Sequence, residues 1–173
     1  MKLFFTGPLN VGKSTLIDRC LQGSGAPLWG FRSYKAPAEN GAGATIWLSE
    51  AARPENRQVA AHIVNQRPQA IFPEVFERFG VSVLQRVTAE TKGIVLMDEI
   101  GFLESGAPAF QAEIDRVLGL PIPVIGVLRA APHPGQAPFL DKLYADSRLT
   151  LLPVTAENRA ALVGQCRALL GLV

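Results

Sequence analysis

The chain holds few of the residues that build metal centres or disulfide frameworks. It has 2 cysteines, 2 histidines and a formal net charge of only +2. Cys20 and Cys166 have no Cys-x-x-Cys spacing and no nearby histidine, and both fall in apolar stretches of helical pattern. They read as small core residues in a reducing compartment rather than as a bridge or a ligand pair. His62 and His133 lie far apart and read as ordinary surface or loop residues. The weak net charge gives no argument for nucleic acid or an acidic membrane as partner, and the excess of 12 Arg over 5 Lys is accounted for by base composition as well as by phosphate chemistry. No stretch reaches the roughly 18 apolar residues of a membrane span, and Lys2 to Thr6 leads directly into a glycine loop rather than a cleavage site. These absences predict a soluble cytoplasmic protein; the sequence leaves its oligomeric state open, and a monomeric or weakly associating chain is the favoured reading.

Apolar residues make up 48% of the 173, enough to bury a sizeable core. Leu3-Phe4-Phe5, Gly93 to Met97, Pro123 to Leu128 and Leu149 to Leu152 are short continuous apolar runs, the pattern of strands buried on both faces. Between them the pattern predicts helices over 13–22, 73–90, 109–118, 138–144 and 156–169, with Gly80 a weak spot in the second. Phe31 to Lys35 and Thr45 to Leu48, around a glycine-rich turn at 40–43, predict a hairpin; residues 50–70 read as an irregular surface excursion. The expectation is an α/β three-layer fold: a central, mostly parallel sheet with an additional β-hairpin. It is one domain over 1–173, with hairpin and irregular insertion at 30–72.

Gly7-Pro8-Leu9-Asn10-Val11-Gly12-Lys13-Ser14 matches G-x-x-x-x-G-K-[ST] at every fixed position, between an apolar strand and an amphipathic helix. Glycines let successive N–H groups turn inward onto phosphate oxygens, and the helix start presents its positive dipole end to the same anion. In such a P-loop, Lys13 reaches the β- and γ-phosphates, Ser14 ligates Mg²⁺ and Thr15 is placed toward the α-phosphate. Asp98-Glu99 closes a buried apolar run, as in a Walker B motif: Asp98 for the Mg²⁺ shell, Glu99 to orient or deprotonate a water. No Asn-Lys-x-Asp or Leu-Ser-Gly-Gly-Gln occurs, which argues against GTPase switches and transporter ATPases, and no clear Arg-rich lid is evident, although 50–70 carries Arg53, Arg57 and Arg67.

These motifs resemble the small P-loop nucleoside-triphosphatases described from thermophiles and, in vertebrates, as cancer-related nucleoside-triphosphatase. Gly30-Phe31-Arg32-Ser33 is similar to that family's Gly-Phe-x-Thr, Asp98-Glu99-Ile100-Gly101 to its Asp-Glu-Ile-Gly, and Thr155-Ala156-Glu157-Asn158-Arg159 to its Thr-x-Glu-Asn-Arg. The resemblance implies Mg²⁺-dependent hydrolysis of several nucleoside triphosphates with loose base selectivity. Two segments depart from it: Tyr34-Lys35-Ala36 stands where the family has Glu-Val-Arg, and Phe102-Leu103-Glu104 where it has Lys-Met-Glu. The chain reads as a divergent member.

Phosphoryl transfer calls for positive charge near the γ-phosphate. Arg129, just after the apolar run 124–128, and Arg32, in the hairpin, are the candidates. Asn158 and Arg159 are candidates to border the base, while Thr155 in an N-cap position alone accounts for that segment. Trp29 and Trp47 flank the hairpin, where packing explains them and stacking on a base is the alternative. Two other functions fit the same motifs: a kinase acting on a nucleotide or small metabolite, and a nucleotide-dependent binding or switch protein.

Overall fold

Leu3, Phe4 and Phe5 are fully buried in β1 (Lys2–Thr6), which lies between two parallel neighbours, β7 (Val124–Leu128) and β8 (Thr150–Pro153). The computed structural model describes residues 1–39, 41–130, 135 and 137–172. The expected strand at 93–97 is β6 (Ile94–Ile100), and the hairpin is β2 (Leu28–Pro37) with β3 (Ala44–Glu50). One eight-stranded sheet runs β5-β4-β3-β2-β6-β7-β1-β8. Its β2-β6-β7-β1-β8 part is parallel, and β3, β4 and β5 continue it antiparallel.

Alternation along β1 divides the core. Phe4 faces a cluster with Phe31, Leu48, Phe76, Phe110 and Leu128; Leu3 and Phe5 face the opposite cluster with Leu16, Ile17, Val127 and Leu162. The second face is covered by α1 (Lys13–Leu21) and α6 (Arg159–Leu170). The two cysteines, Cys20 on α1 and Cys166 on α6, are both free and buried there. The first face is covered by residues 73–85 and by α4 (Pro108–Gly119); α5 (Pro138–Tyr144) adds Leu140 and Leu143. Among the described residues no helix is long and apolar enough to cross a membrane.

The structure corrects the sequence reading in three places. Residues 50–70 are ordered structure, not an irregular excursion. Glu50 is buried and binds Arg53, Asn56 and Arg86, which pins the 51–56 loop. β4 (Arg57–Val64) and β5 (Arg67–Ile71) then form a hairpin with Val64 paired to Arg67. Its two turn residues, Asn65 and Gln66, have φ of 49° and 62°, the left-handed pair that a type I′ turn needs. Without a glycine at the second position, the sequence carries little sign of that turn.

The helix expected over 73–90 is shorter and locally widened. It comprises α2 (Pro73–Val75), a π-helical stretch (Phe76–Gly80) and α3 (Val81–Gln85). It ends at Gln85, and Arg116 of α4 donates to carbonyls at and just beyond that end, Leu84 (2.9 Å) and Val87 (3.0 Å). The helix is irregular up to Gly80, where the π-helical stretch ends, and a Cβ there would meet the Phe110 ring at 2.6 Å, so glycine is also what lets α4 pack this close. The last helix begins at Arg159 rather than 156. Thr155 and Asn158 exchange hydrogen bonds in the turn before it, the Thr155 N–H to Asn158 Oδ1 at 2.8 Å and the Asn158 N–H to Thr155 Oγ1 at 3.3 Å.

Candidate functional site

The phosphate loop leaves β1 with Gly7 at φ 130°, passes Asn10 at 61° and Gly12 at 95°, and enters α1 at Lys13. Gly7 admits no side chain, since a Cβ would sit 2.6 Å from the Val154 carbonyl oxygen. Leu9 forms the exposed tip. Lys13 is buried, and its ammonium donates to the carbonyls of Gly7 (2.9 Å) and Pro8 (2.7 Å), folding back across the loop. Burial lowers its pKa, an effect opposed by the carboxylates of Glu99 and Asp98 and reinforced by Arg129. Those influences locate the predicted groups around one ammonium.

The carboxylates come from β6, two strands from β1 with β7 between. Opposite β7, the register slips between Met97 and Ile100, a bulge that breaks the in–out alternation at Asp98 and Glu99. The Asp98–Glu99 peptide is cis. Ser14 donates its hydroxyl to Asp98 Oδ1 at 3.0 Å, joining helix α1 to β6. Asp98 is 1% exposed, and burial raises its pKa to about 6, against the lowering by Arg32 and by the Ser14 bond. Its Oδ2 is buried with no hydrogen-bond partner; the Arg32 Nε lies 3.3 Å away as an ion pair without hydrogen-bond alignment. Arg32 also reaches Asp18 Oδ1 through Nη2 at 2.7 Å. Glu99 is partly exposed and faces Arg129, whose Nη1 lies 3.4 Å from Oε1.

Ser14 and Asp98 therefore present a hydroxyl and a carboxylate as hard oxygen donors, with one carboxylate oxygen unsatisfied. Mg²⁺ uses such sparse protein sets, because it keeps waters and substrate phosphates in its shell. The residues fit that ion.

The other expected contacts divide. The Arg159 guanidinium reaches the Val11 carbonyl at 3.3 Å and sits over Gly12, so it borders the loop. With Gly12, Thr15, Leu16 and Arg19 it lines a small cavity of about 100 Å³. Asn158 instead ties its own turn, through Thr155 and the Pro153 carbonyl. Trp29 donates to the Lys92 carbonyl, and Trp47 lies under the Arg57 guanidinium at 4.3 Å. His62 is an exposed residue of β4; His133 lies outside the described residues. Along α1 a groove of about 690 Å³ is lined by Thr15, Asp18, Arg32, Tyr34, Ser49 and Leu96, among others.

Two residues of this region were not singled out by sequence. Asp18 lies one turn beyond Ser14 on α1, a spacing that puts both on one face. Glu104, fully enclosed, accepts the Gly101 N–H at 2.8 Å just past Glu99. Its one signal was that it keeps the glutamate of Lys-Met-Glu where the two residues before it depart.

The family model described as NTPase matches residues 2–166. The chain is 25% identical over 183 residues to the nucleoside-triphosphatase THEP1 of Thermotoga maritima, spanning 98% of this chain and 95% of that protein. It is 28% identical over 174 residues to the cancer-related nucleoside-triphosphatase homolog of Bos taurus, spanning 91% and 90%. The crystal structure of THEP1 from the hyperthermophile Aquifex aeolicus matches with a TM-score of 0.76 at 21% identity, over 98% of this chain and 99% of that one. The solution structure of a human cancer-related nucleoside triphosphatase matches with a TM-score of 0.70 at 22% identity, over 97% and 96%. At those identities the two structures speak for the fold, and the family match extends along nearly the whole sequence. With its phosphate loop and paired carboxylates on that fold, the chain belongs to the NTPase family.

Proposed function

We propose that the protein hydrolyses nucleoside triphosphates, ATP and GTP with CTP and UTP as further substrates, to the diphosphate and phosphate with Mg²⁺ as cofactor. The observation that carries this reading is the 3.0 Å bond from Ser14 to Asp98, which sets a hydroxyl and a carboxylate at the mouth of the phosphate loop. The relatives named nucleoside-triphosphatases support it, and nothing favours the kinase alternative.

The loop amides of residues 7–15 and the Lys13 ammonium hold the phosphates. Lys13 exchanges its two loop carbonyls for phosphate oxygens, which makes a charge-assisted contact from a group already in position. Ser14 and Asp98 would hold Mg²⁺, which when bound neutralises charge on the β- and γ-phosphates. Glu99 accepts a proton from, or orients, the water that attacks the γ-phosphorus in line. Arg129 meets the charge on the γ-phosphoryl oxygens, and Arg32 is the second cation on that side. Asn158 or Arg159 borders the base, Arg159 being the one that already reaches the phosphate loop; a nucleotide-bound structure with the base more than about 8 Å from both, roughly twice a packing contact, removes that assignment.

Phosphate release from ATP, GTP, CTP and UTP, with Mg²⁺ and no acceptor, tests the whole. Wild type is expected to turn over several of them, and Lys13→Ala none. Binding without phosphate release in wild type overturns the reading. On the same reading the protein is one cytoplasmic domain, with a monomer favoured and nothing arguing for a nucleic-acid or membrane partner; a light-scattering mass of two chains at assay concentration counts against the monomer.

A further inference from the structure

Arg32 and Asp98 are register partners across the parallel β2–β6 pair. Arg32 is therefore built into the sheet beside the carboxylate rather than reaching it from a loop. Its Nε stands 3.3 Å from Asp98 Oδ2, and both atoms are buried without a hydrogen bond. The outer end of its fork is spent elsewhere, on Asp18 Oδ1 at 2.7 Å. A permanent arginine–carboxylate pair meets fork to fork, with two parallel N–H···O bonds. This one is a side-on contact, and the stronger bond goes to a more exposed carboxylate.

A buried carboxylate needs a counter-charge. Asp98 has one neutral donor, Ser14, on Oδ1, and Arg32 is the cation beside Oδ2. A divalent cation arriving at Oδ2 meets the same guanidinium as a like charge within a few ångströms, and the two repel. Arg32 has somewhere to go. Its side chain is partly exposed and lines the groove of about 690 Å³ together with Asp18, the residue that holds its far end.

We propose that Arg32 is a resident counter-ion for Asp98, which neutralises the carboxylate in the nucleotide-free chain and surrenders it to the divalent cation by turning away from Oδ2. This rests on the reading above that Ser14 and Asp98 hold that cation. It makes Arg32 a positioning residue for the metal site. The cation is kept weak until nucleotide phosphates add their own charge, and then binds with them.

The test is Mn²⁺ binding to the nucleotide-free full chain at pH 8, read by the electron paramagnetic resonance of free Mn²⁺. Four variants accompany wild type: Asp98→Asn, Arg32→Gln, Arg32→Lys and Arg67→Gln. Arg67 lies exposed on β5 and controls for net charge alone. Arg32→Gln is expected to bind Mn²⁺ roughly tenfold more tightly, the scale on which one neighbouring charge shifts a carboxylate's ion affinity. Arg32→Lys and Arg67→Gln are expected to stay near wild type, and Asp98→Asn to lose the site. Thermal denaturation checks that each folds, and Arg32→Met, which keeps the apolar stem, replaces the glutamine variant if it does not. If Arg32→Gln binds no tighter while Asp98→Asn loses the ion, the counter-ion role is overturned and the metal assignment stands. If Mn²⁺ binding survives Asp98→Asn, both fall together.

Discussion

Glu104 reaches back to the backbone N–H of Gly101 at 2.8 Å, from a position closed to solvent. The bond fastens the chain just beyond the two site carboxylates, and it makes Glu104 a buried acid. Burial is the largest cause that pushes its pKa up to about 7 from 4.5, with Glu99 adding to the rise and the Gly101 bond and Arg129 opposing it.

That shift has a sign in stability. Between pH 4.5 and 7 the native chain keeps a proton on Glu104 that the unfolded chain has released, so stability falls as pH rises through this window. Glu104→Gln removes the titration. Urea denaturation of both proteins from pH 4.5 to 8 is expected to show wild type losing on the order of 3 kcal/mol more than the variant. Parallel profiles would mean that Glu104 titrates as it does in the unfolded chain.

Glu99→Gln keeps the shape of the site and removes the proton acceptor. Turnover is expected to fall by roughly 10²–10⁴. Nucleotide affinity, followed by a fluorescent analogue, should remain near wild type. A variant that hydrolyses at the wild-type rate assigns the water to another group.

Arg129 pairs with Glu99 at 3.4 Å, and its side chain is 42% exposed, so the pair adds little to stability. The expected consequence of Arg129→Ala is kinetic: kcat lower on the order of 10², as for loss of one transition-state donor, with the melting temperature nearly unchanged. An unaltered kcat ends the γ-phosphate assignment.

Gly80→Ala discriminates between two accounts of one residue. On helix propensity alone, alanine stabilises by about 1 kcal/mol. With Phe110 2.6 Å from the new Cβ, and that ring packed on Phe31 and Phe76, overpacking instead costs roughly 1–3 kcal/mol. Guanidinium unfolding gives the sign directly, and a gain would show that the ring yields freely.

What could be read from sequence was local. The glycine loop, Lys13, Ser14 and the Asp98-Glu99 pair carry their chemistry in fixed spacing, and the apolar runs around them predicted the β1, β6 and β7 strands. What could not be read depended on distant partners. Nothing near Arg32 says that it will lie beside Asp98, because the pairing of β2 with β6 decides it. Nothing near Gln85 says that a helix stops there, where Arg116 of the distant α4 binds the Leu84 and Val87 carbonyls. Glu104 looks like any loop acid until packing encloses it. The β4–β5 hairpin was hidden by a left-handed Asn65-Gln66 turn without glycine.

The place of β1 has a consequence for how the chain is made. Leu3 pairs with Ile125 on one side and Thr150 on the other. The strand that carries the phosphate loop thus precedes both of its neighbours by a long stretch of chain, and closing contacts of such sequence separation is slow. β2 to β5 pair only with one another and with β6, so the antiparallel extension is free to assemble while β1 waits. The phosphate loop therefore takes its place in the sheet only once β7 and β8 are there to flank β1.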